Sequence, residues 1–168
     1  MGLLDQILIQ GDNSLLVQKH ENEKGFTSEV SGGIKYLGNM FNYKGPMLWM
    51  YDFTFDDPES KEAIMQSIDS VMTGLRDQID QQMLDQAIVK IRSQLYDVIG
   101  GTFGLGRADL LCSFALFDDN PDRINTLEDE FKKIDVETVK NTIDNYLRTS
   151  NRTVLEVNPL LAANEKTQ

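Results

Sequence analysis

The first third of the chain combines one helical pattern with two strand-like patterns. From Leu3 to Gln18 apolar side chains recur at helical spacing, and Gly11 interrupts them. From Met47 to Phe55 aromatic residues and methionine occupy every second position, which is typical of a strand with one strongly apolar face. The segment 26–38 is also strand-like, and its Gly32-Gly33 pair predicts a bulge or bend.

The rest of the chain predicts a run of helices and a closing strand. Three helix starts have recognisable capping signals. Asp57 is followed by a proline, Asn120 is followed by Pro121 and an acid, and Asp135 precedes the last helix. The last segment, with Val154, Leu155 and Val157, predicts a short strand that Pro159 ends. The helices are expected to contain residues Ile64–Leu75, Leu84–Val98, Arg107–Phe117, 122–134 and Val136–Leu147.

Strands followed by helices and a returning strand predict an α+β fold, a mostly antiparallel sheet with helices layered on one face. Only three strands are visible, so the sheet is expected to be truncated at its N-terminal strands. We expect one partial domain over residues 1–159 and a disordered tail over residues 160–168. An uncovered sheet edge in such a fragment would promote self-association.

Composition restricts the classes of partner. The 168 residues are 40% hydrophobic and 26% charged, as in an ordinary globular domain, and the formal net charge is −11. This negative field disfavours nucleic acid and anionic membrane surfaces as partners. No apolar run approaches the roughly 20 residues of a membrane-spanning helix, and the opening residues lack the features of a secretory signal.

The one histidine lies in a sequence that approaches a zinc motif. His20, Glu23 and Lys24 read H-x-x-E-K, one letter short of the H-x-x-E-H signature. A protonated lysine has no lone pair for a metal, and the chain has no second histidine to replace it. We therefore interpret this stretch as an exposed polar helix end, and we expect no metal ligand and no catalytic residue in this chain.

Three other features have simpler interpretations than chemistry. The glycines of residues 100–106 follow a helix and match no phosphate-binding spacing, so they predict a connection between helices. Cys112 is the only cysteine, which excludes an internal disulfide, and its apolar neighbours predict a buried position. Asn151-Arg152-Thr153 is a formal glycosylation sequon that we interpret as turn chemistry.

Two long segments resemble a known family. The segment Leu15–Gly32 is similar to L-x-x-x-L-R-E-K-x-G-L-A-Y-x-V of the insulinase/pitrilysin-type zinc metallopeptidases. The segment Asp118–Pro159 resembles that family's closing part, which ends in a strand of the R-T-V-L-x-V-x-P kind. The resemblance covers nearly the whole chain.

The resemblance implies a zinc-free C-terminal half-domain. Members of this family close two related halves around a peptide, and the zinc and its H-x-x-E-H motif belong to the front half. This chain would form the opposite wall of the peptide chamber, and its partner would be the zinc-bearing half of the same protein or a separate subunit. An extended peptide could then add to the sheet edge after Gly25. The parent protein would lie in a bacterial periplasm or cytoplasm.

The family's substrate-binding pair is replaced in this chain. When the two are aligned on Gly25, the family's arginine position falls on Glu21 and its tyrosine position on Ser28. A carboxylate cannot stabilise a developing oxyanion as an arginine does. Three interpretations of the chain stay open. It is a noncatalytic wall of a peptidase, a structural or assembly scaffold without a proteolytic role, or an unrelated α+β binding domain.

Overall fold

The computed structural model describes residues 1–34, 40–41, 44–101 and 105–157. This part of the chain is mostly helical and contains one two-stranded antiparallel sheet. Short 3₁₀ turns span Pro58–Ser60 and Thr149–Asn151. The elements are α1 (Gly2–Leu8), α2 (Leu15–Val17), a π-helix (Gln18–Glu23), β1 (Ser31–Ile34), β2 (Trp49–Asp52), α3 (Lys61–Gln78), α4 (Gln81–Ile99), α5 (Leu105–Asp118), α6 (Arg123–Lys132) and α7 (Val136–Tyr146).

The predicted mostly antiparallel sheet with helices on one face is wrong, because helices form most of the described chain and the sheet has two strands. The predicted last strand pairs with no strand there. Its side chains are exposed, with Val154, Leu155 and Val157 at 55%, 85% and 78%. Strand propensity expresses packing against neighbouring strands, and this segment has no strand neighbour among the described residues. The predicted tail from residue 160 lies outside the described residues.

The five predicted helices α3 to α7 are confirmed. Two of the predicted capping residues form local hydrogen bonds, one at the 3₁₀ turn that precedes α3 and one at the start of α7. The carboxylate of Asp57 accepts from the backbone N–H of Glu59, and Asp135 accepts from that of Thr138. Such caps satisfy donors that a helix start leaves free, and each is worth about 1 kcal/mol.

The core forms where α1 packs on α4. Leu4 and Leu8 are fully buried there, and each buried leucine stabilises the fold by about 1.5–3 kcal/mol. The ammonium group of Lys90 on α4 donates to the carbonyls of Gln6 at 3.3 Å and Gln10 at 2.9 Å. A cation at this end of α1 satisfies carbonyl groups that the helix leaves unpaired.

The prediction for Gly32-Gly33 was a bulge or a bend, and the unbroken register of the sheet shows that the bulge is wrong. Ser31–Ile34 pairs residue by residue with Trp49–Asp52. The glycine at position 32 serves a close approach instead. A Cβ atom at Gly32 would lie 2.5 Å from the carbonyl oxygen of Met50 and 2.6 Å from the Cα of Tyr51.

The predicted burial of Cys112 is also wrong, because its side chain is exposed. Helix α5 is apolar on nearly all sides, so its sequence does not reveal which side faces the core. Leu110 and Phe114 face inward, and Cys112 lies on the outer face with the exposed Leu116.

Candidate functional site

The centre of the site is a row of four aromatic rings, which lie on β2 and on the residues directly after it. Its ring centroids follow one another at 5.7 Å from Trp49 to Tyr51, 6.2 Å to Phe53 and 6.3 Å to Phe55. These side chains are half-buried, whereas the intervening Asp52 and Thr54 are exposed. The predicted alternation is therefore confirmed for residues 51–55, whereas Met50 is half-buried like its neighbours. The row of rings presents an apolar surface, and the reverse face is polar at Asp52 and Thr54.

A buried carboxylate anchors one end of this row. Asp5 is 1% exposed and accepts hydrogen bonds from the indole N–H of Trp49 at 2.8 Å and from the side-chain amide of Gln10 at 3.1 Å. A buried charged group is tolerated where hydrogen bonds replace its water. This contact joins α1 to the strand, and no local sequence pattern predicts it because the two partners are far apart in the chain.

His20 lies beside Phe53, the third ring of the row, and is fully buried, so its interpretation as an exposed polar helix end is wrong. Its ring centroid is 5.5 Å from that of Phe53 and 6.1 Å from that of Phe26. Neither ring nitrogen hydrogen-bonds to another described residue. Burial lowers the pKa of His20 below its ordinary 6.5, and the charge of Lys19 lowers this pKa further.

Glu21 lies in the π-helix, and Ser28 lies in the segment between the π-helix and β1. The Oε1 atom of Glu21 accepts a hydrogen bond of 2.6 Å from the backbone N–H of Val30. Ser28 is exposed between Thr27 and Glu29, whose hydroxyl and backbone groups bond to one another. Glu21 thus has a structural contact in the folded chain, and Ser28 is open to solvent. Their predicted role in substrate binding stays a prediction.

Side chains also occupy backbone groups along β1. Glu21 binds the N–H of Val30, and the side-chain amide of Gln10 donates to the carbonyl of Gly32 at 3.3 Å. In a two-stranded sheet each strand has one edge without a strand partner, and β2 pairs with β1 alone within the described chain. The outer edge of β2 therefore has no strand partner among the described residues, and no side-chain hydrogen bond to its backbone is seen there.

A cavity of about 540 Å³ lies apart from the aromatic row, between α1, α5, α6 and α7. Arg123 binds Glu130 through two nitrogens at 3.2 and 2.8 Å and Asp118 at 2.7 Å, and its guanidinium lies 5.3 Å from the centre of the Phe114 ring. The hydrogen bonds to Glu130 and Asp118 raise the pKa of Arg123. Its cationic group is fully engaged in joining α5 to α6, so it stabilises the cavity wall. No sequence motif announced this cluster.

The described residues contain no cluster of potential metal ligands and no helix fit to span a membrane. No group of three or more histidine, cysteine, aspartate or glutamate side chains in those residues could hold a metal ion. None of the helices found there is long and apolar enough to cross a membrane.

Comparison with known proteins places the fold. No protein-family model and no curated protein matches the chain. Among solved structures, the chain is similar to a protease from Helicobacter pylori, with a TM-score of 0.58 and 13% sequence identity. The match covers 89% of this chain and 34% of that protein, so the chain spans about a third of the length of the solved protease. At this identity the likeness shows a shared fold alone, a protease-like one.

Proposed function

We propose that this chain is a noncatalytic domain of a zinc metallopeptidase, and that it forms one wall of a peptide-binding chamber. The zinc and the catalytic residues would belong to another half of the parent protein or to a partner subunit. The observation that carries this proposal is the protease-like fold, which extends over 89% of the chain. The chain matches only 34% of that protease, and further domains in a longer parent would account for the difference.

The sequence supports the same proposal independently. The segments Leu15–Gly32 and Asp118–Pro159 resemble insulinase/pitrilysin-type peptidases in the order that the family has them. In the folded chain the first segment forms the turn around His20 and Glu21, directly beside the aromatic face of β2. The resemblance therefore falls on the part of the molecule that offers an apolar surface and a strand edge.

The peptide would bind as an added strand on the second edge of β2. The expected edge after Gly25 is the less suitable one, because Glu21 and Gln10 already bind backbone groups of Val30 and Gly32. Main-chain hydrogen bonds to β2 would supply affinity without sequence preference, and the neighbouring aromatic rings would favour bulky apolar side chains.

Titration of the chain with an extended apolar peptide tests this proposal. Trp49, the only tryptophan, lies in β2, so its fluorescence reports binding directly. The matched control is the same peptide with N-methyl groups at alternate residues, first in one register and then in the other. Strand addition predicts that at least one methylated register loses binding by tenfold or more. Equal affinity for all three peptides would contradict strand addition.

An assembly scaffold is the second candidate function. It is favoured by Glu21, an acid at the family's arginine position whose carboxylate already binds the N–H of Val30. A scaffold would bind its partner half tightly and leave that partner's peptidase activity unchanged. A chamber wall would bind the same partner and increase its activity.

A further inference from the structure

The buried histidine sits at the junction of two elements from distant parts of the sequence. We call His20, Phe26 and Phe53 the His20 cage. His20 belongs to the π-helix Gln18–Glu23, and Phe53 follows β2. The backbone N–H of Phe26 donates to the carbonyl of His20 at 2.8 Å, so the turn after the π-helix closes over the imidazole. The His20 cage therefore holds this turn against the aromatic strand.

A proton on the imidazole would fit this environment poorly. Imidazolium has two N–H donors, and neither ring nitrogen of His20 has a hydrogen-bond partner in the described chain. Burying a charge without a hydrogen-bond partner is costly, and both neighbouring rings are hydrocarbon. Movement of the charged ring into water would remove this cost.

The charged groups around the cage do not offset this cost. Lys19, on the same π-helix, repels a second positive charge, and its ion pair with Glu23 weakens this repulsion without reversing it. On the facing elements, the phenol of Tyr51 is neutral because burial raises its pKa. Asp69 on α3 is paired with Arg152, so the field of each is largely cancelled by the other.

We propose that the His20 cage is an acid-sensitive latch. When the imidazole takes up a proton, the π-helical turn leaves the aromatic strand, while the core between α1 and α4 stays folded. π-Helical turns are uncommon and occur often where a helix must change shape for function, which suits a segment that opens. The latch needs no peptide and no partner half, so it stands apart from the proposed function.

Nuclear magnetic resonance of the full chain tests the latch directly. His20 is the only histidine, so its imidazole resonances need no assignment by mutation. We expect the imidazole to stay neutral as the pH falls through 6.5, its ordinary value. Its protonation should then coincide with loss of hydrogen-exchange protection over residues 18–30, with protection in α4 unchanged. Protonation near pH 6.5 with protection intact would overturn the proposal.

Three variants sharpen the test. His20→Phe keeps a ring in the cage and should lower the pH of opening by about one unit or more, into the carboxylate range. Lys19→Gln removes the neighbouring charge and should raise the pH of opening by a few tenths of a unit. Glu23→Gln breaks the Lys19–Glu23 ion pair but keeps the charge of Lys19, so it should not raise the pH of opening. If His20→Phe does not fold, the titration of the wild-type chain and of the two charge variants still tests whether protonation of His20 opens the latch. An unchanged opening in His20→Phe and Lys19→Gln would contradict the latch.

Discussion

The indole N–H of Trp49 donates a 2.8 Å hydrogen bond to the carboxylate of Asp5, 44 positions earlier in the chain. Asp5 is buried on α1, which packs on α4, and Trp49 begins β2. This contact therefore connects the helical core to the aromatic strand that we propose as the peptide-binding edge. A peptide that adds to β2 would meet a strand fixed at this end by the core and at the other by the His20 cage.

Removal of this hydrogen bond should destabilise the chain. Trp49→Phe keeps an aromatic ring but leaves the Asp5 carboxylate with one partner fewer, and we expect a loss of about 1–3 kcal/mol in the free energy of unfolding. Urea denaturation followed by circular dichroism measures this, because the variant lacks tryptophan fluorescence. Leu48→Ala, at an exposed neighbouring position, is the control and should cost less than about 0.5 kcal/mol. Equal losses in the two variants would argue against the role of the Asp5 contact.

The Glu21 contact should protect one backbone amide. Glu21→Ala removes the acceptor of the Val30 N–H, so this amide should exchange with solvent at least about tenfold faster, since the bond to a charged group is worth about 1.5–3 kcal/mol. Hydrogen exchange resolved at Val30 measures the change. Glu23→Ala is the matched control, because Glu23 is exposed and pairs only with Lys19 among the described residues. Unchanged exchange in Glu21→Ala would mean that the contact contributes nothing in solution.

The close approach of the two strands should make position 32 intolerant of a side chain. Gly32→Ala places a Cβ atom against the backbone of Met50 and Tyr51, and we expect a loss of about 2–4 kcal/mol in stability. Gly25→Ala is the comparison, because Gly25 has a φ of +61° but open space around it. Only backbone strain of about 1 kcal/mol is expected there. Gly32 also has a positive φ, of +154°, so a conformational cost is expected in both variants and the steric cost is expected only at position 32. Thermal unfolding of both variants measures the difference, and a smaller loss at position 32 than at position 25 would be inconsistent with the observed register.

The Arg123 cluster should contribute to stability rather than to peptide binding. Arg123→Met removes its bonds to Asp118 and Glu130, and we expect about 1–2 kcal/mol of destabilisation because the cluster is a partly exposed network. Arg107→Met, at an exposed position of α5, should have little effect. Peptide affinity, measured by Trp49 fluorescence, should be equal in both variants. A selective loss of affinity in Arg123→Met would move the binding site to the cavity.

The sequence predicted the helices well because their signals are local. Asp57 and Asp135 bind N–H groups two and three residues later, so the cap is visible in a few letters. The alternation along β2 was readable for the same reason. The position of Gly25 at the end of the first helical region is likewise local, since its φ of +61° favours glycine.

The errors arose where distant residues decide the outcome. The sequence His20 to Lys24 looks polar, and it does not show that the ring of Phe53, 33 positions later, packs against the imidazole together with Phe26. The segment around Leu155 has a strand-like sequence, yet its structure depends on a neighbouring strand that the described chain does not supply. Cys112 was misplaced because α5 lacks a single apolar face.

Peptidase reconstitution tests the central claim most directly. The zinc-bearing half of the parent protein, or the partner subunit that carries H-x-x-E-H, is assayed on a fluorogenic extended peptide with and without this chain. We expect no cleavage by this chain alone, little by the zinc-bearing half alone, and at least a tenfold increase when the two are combined. Full activity of the zinc-bearing half without this chain, or cleavage by this chain alone, would contradict the proposed role as a noncatalytic wall of the peptide chamber.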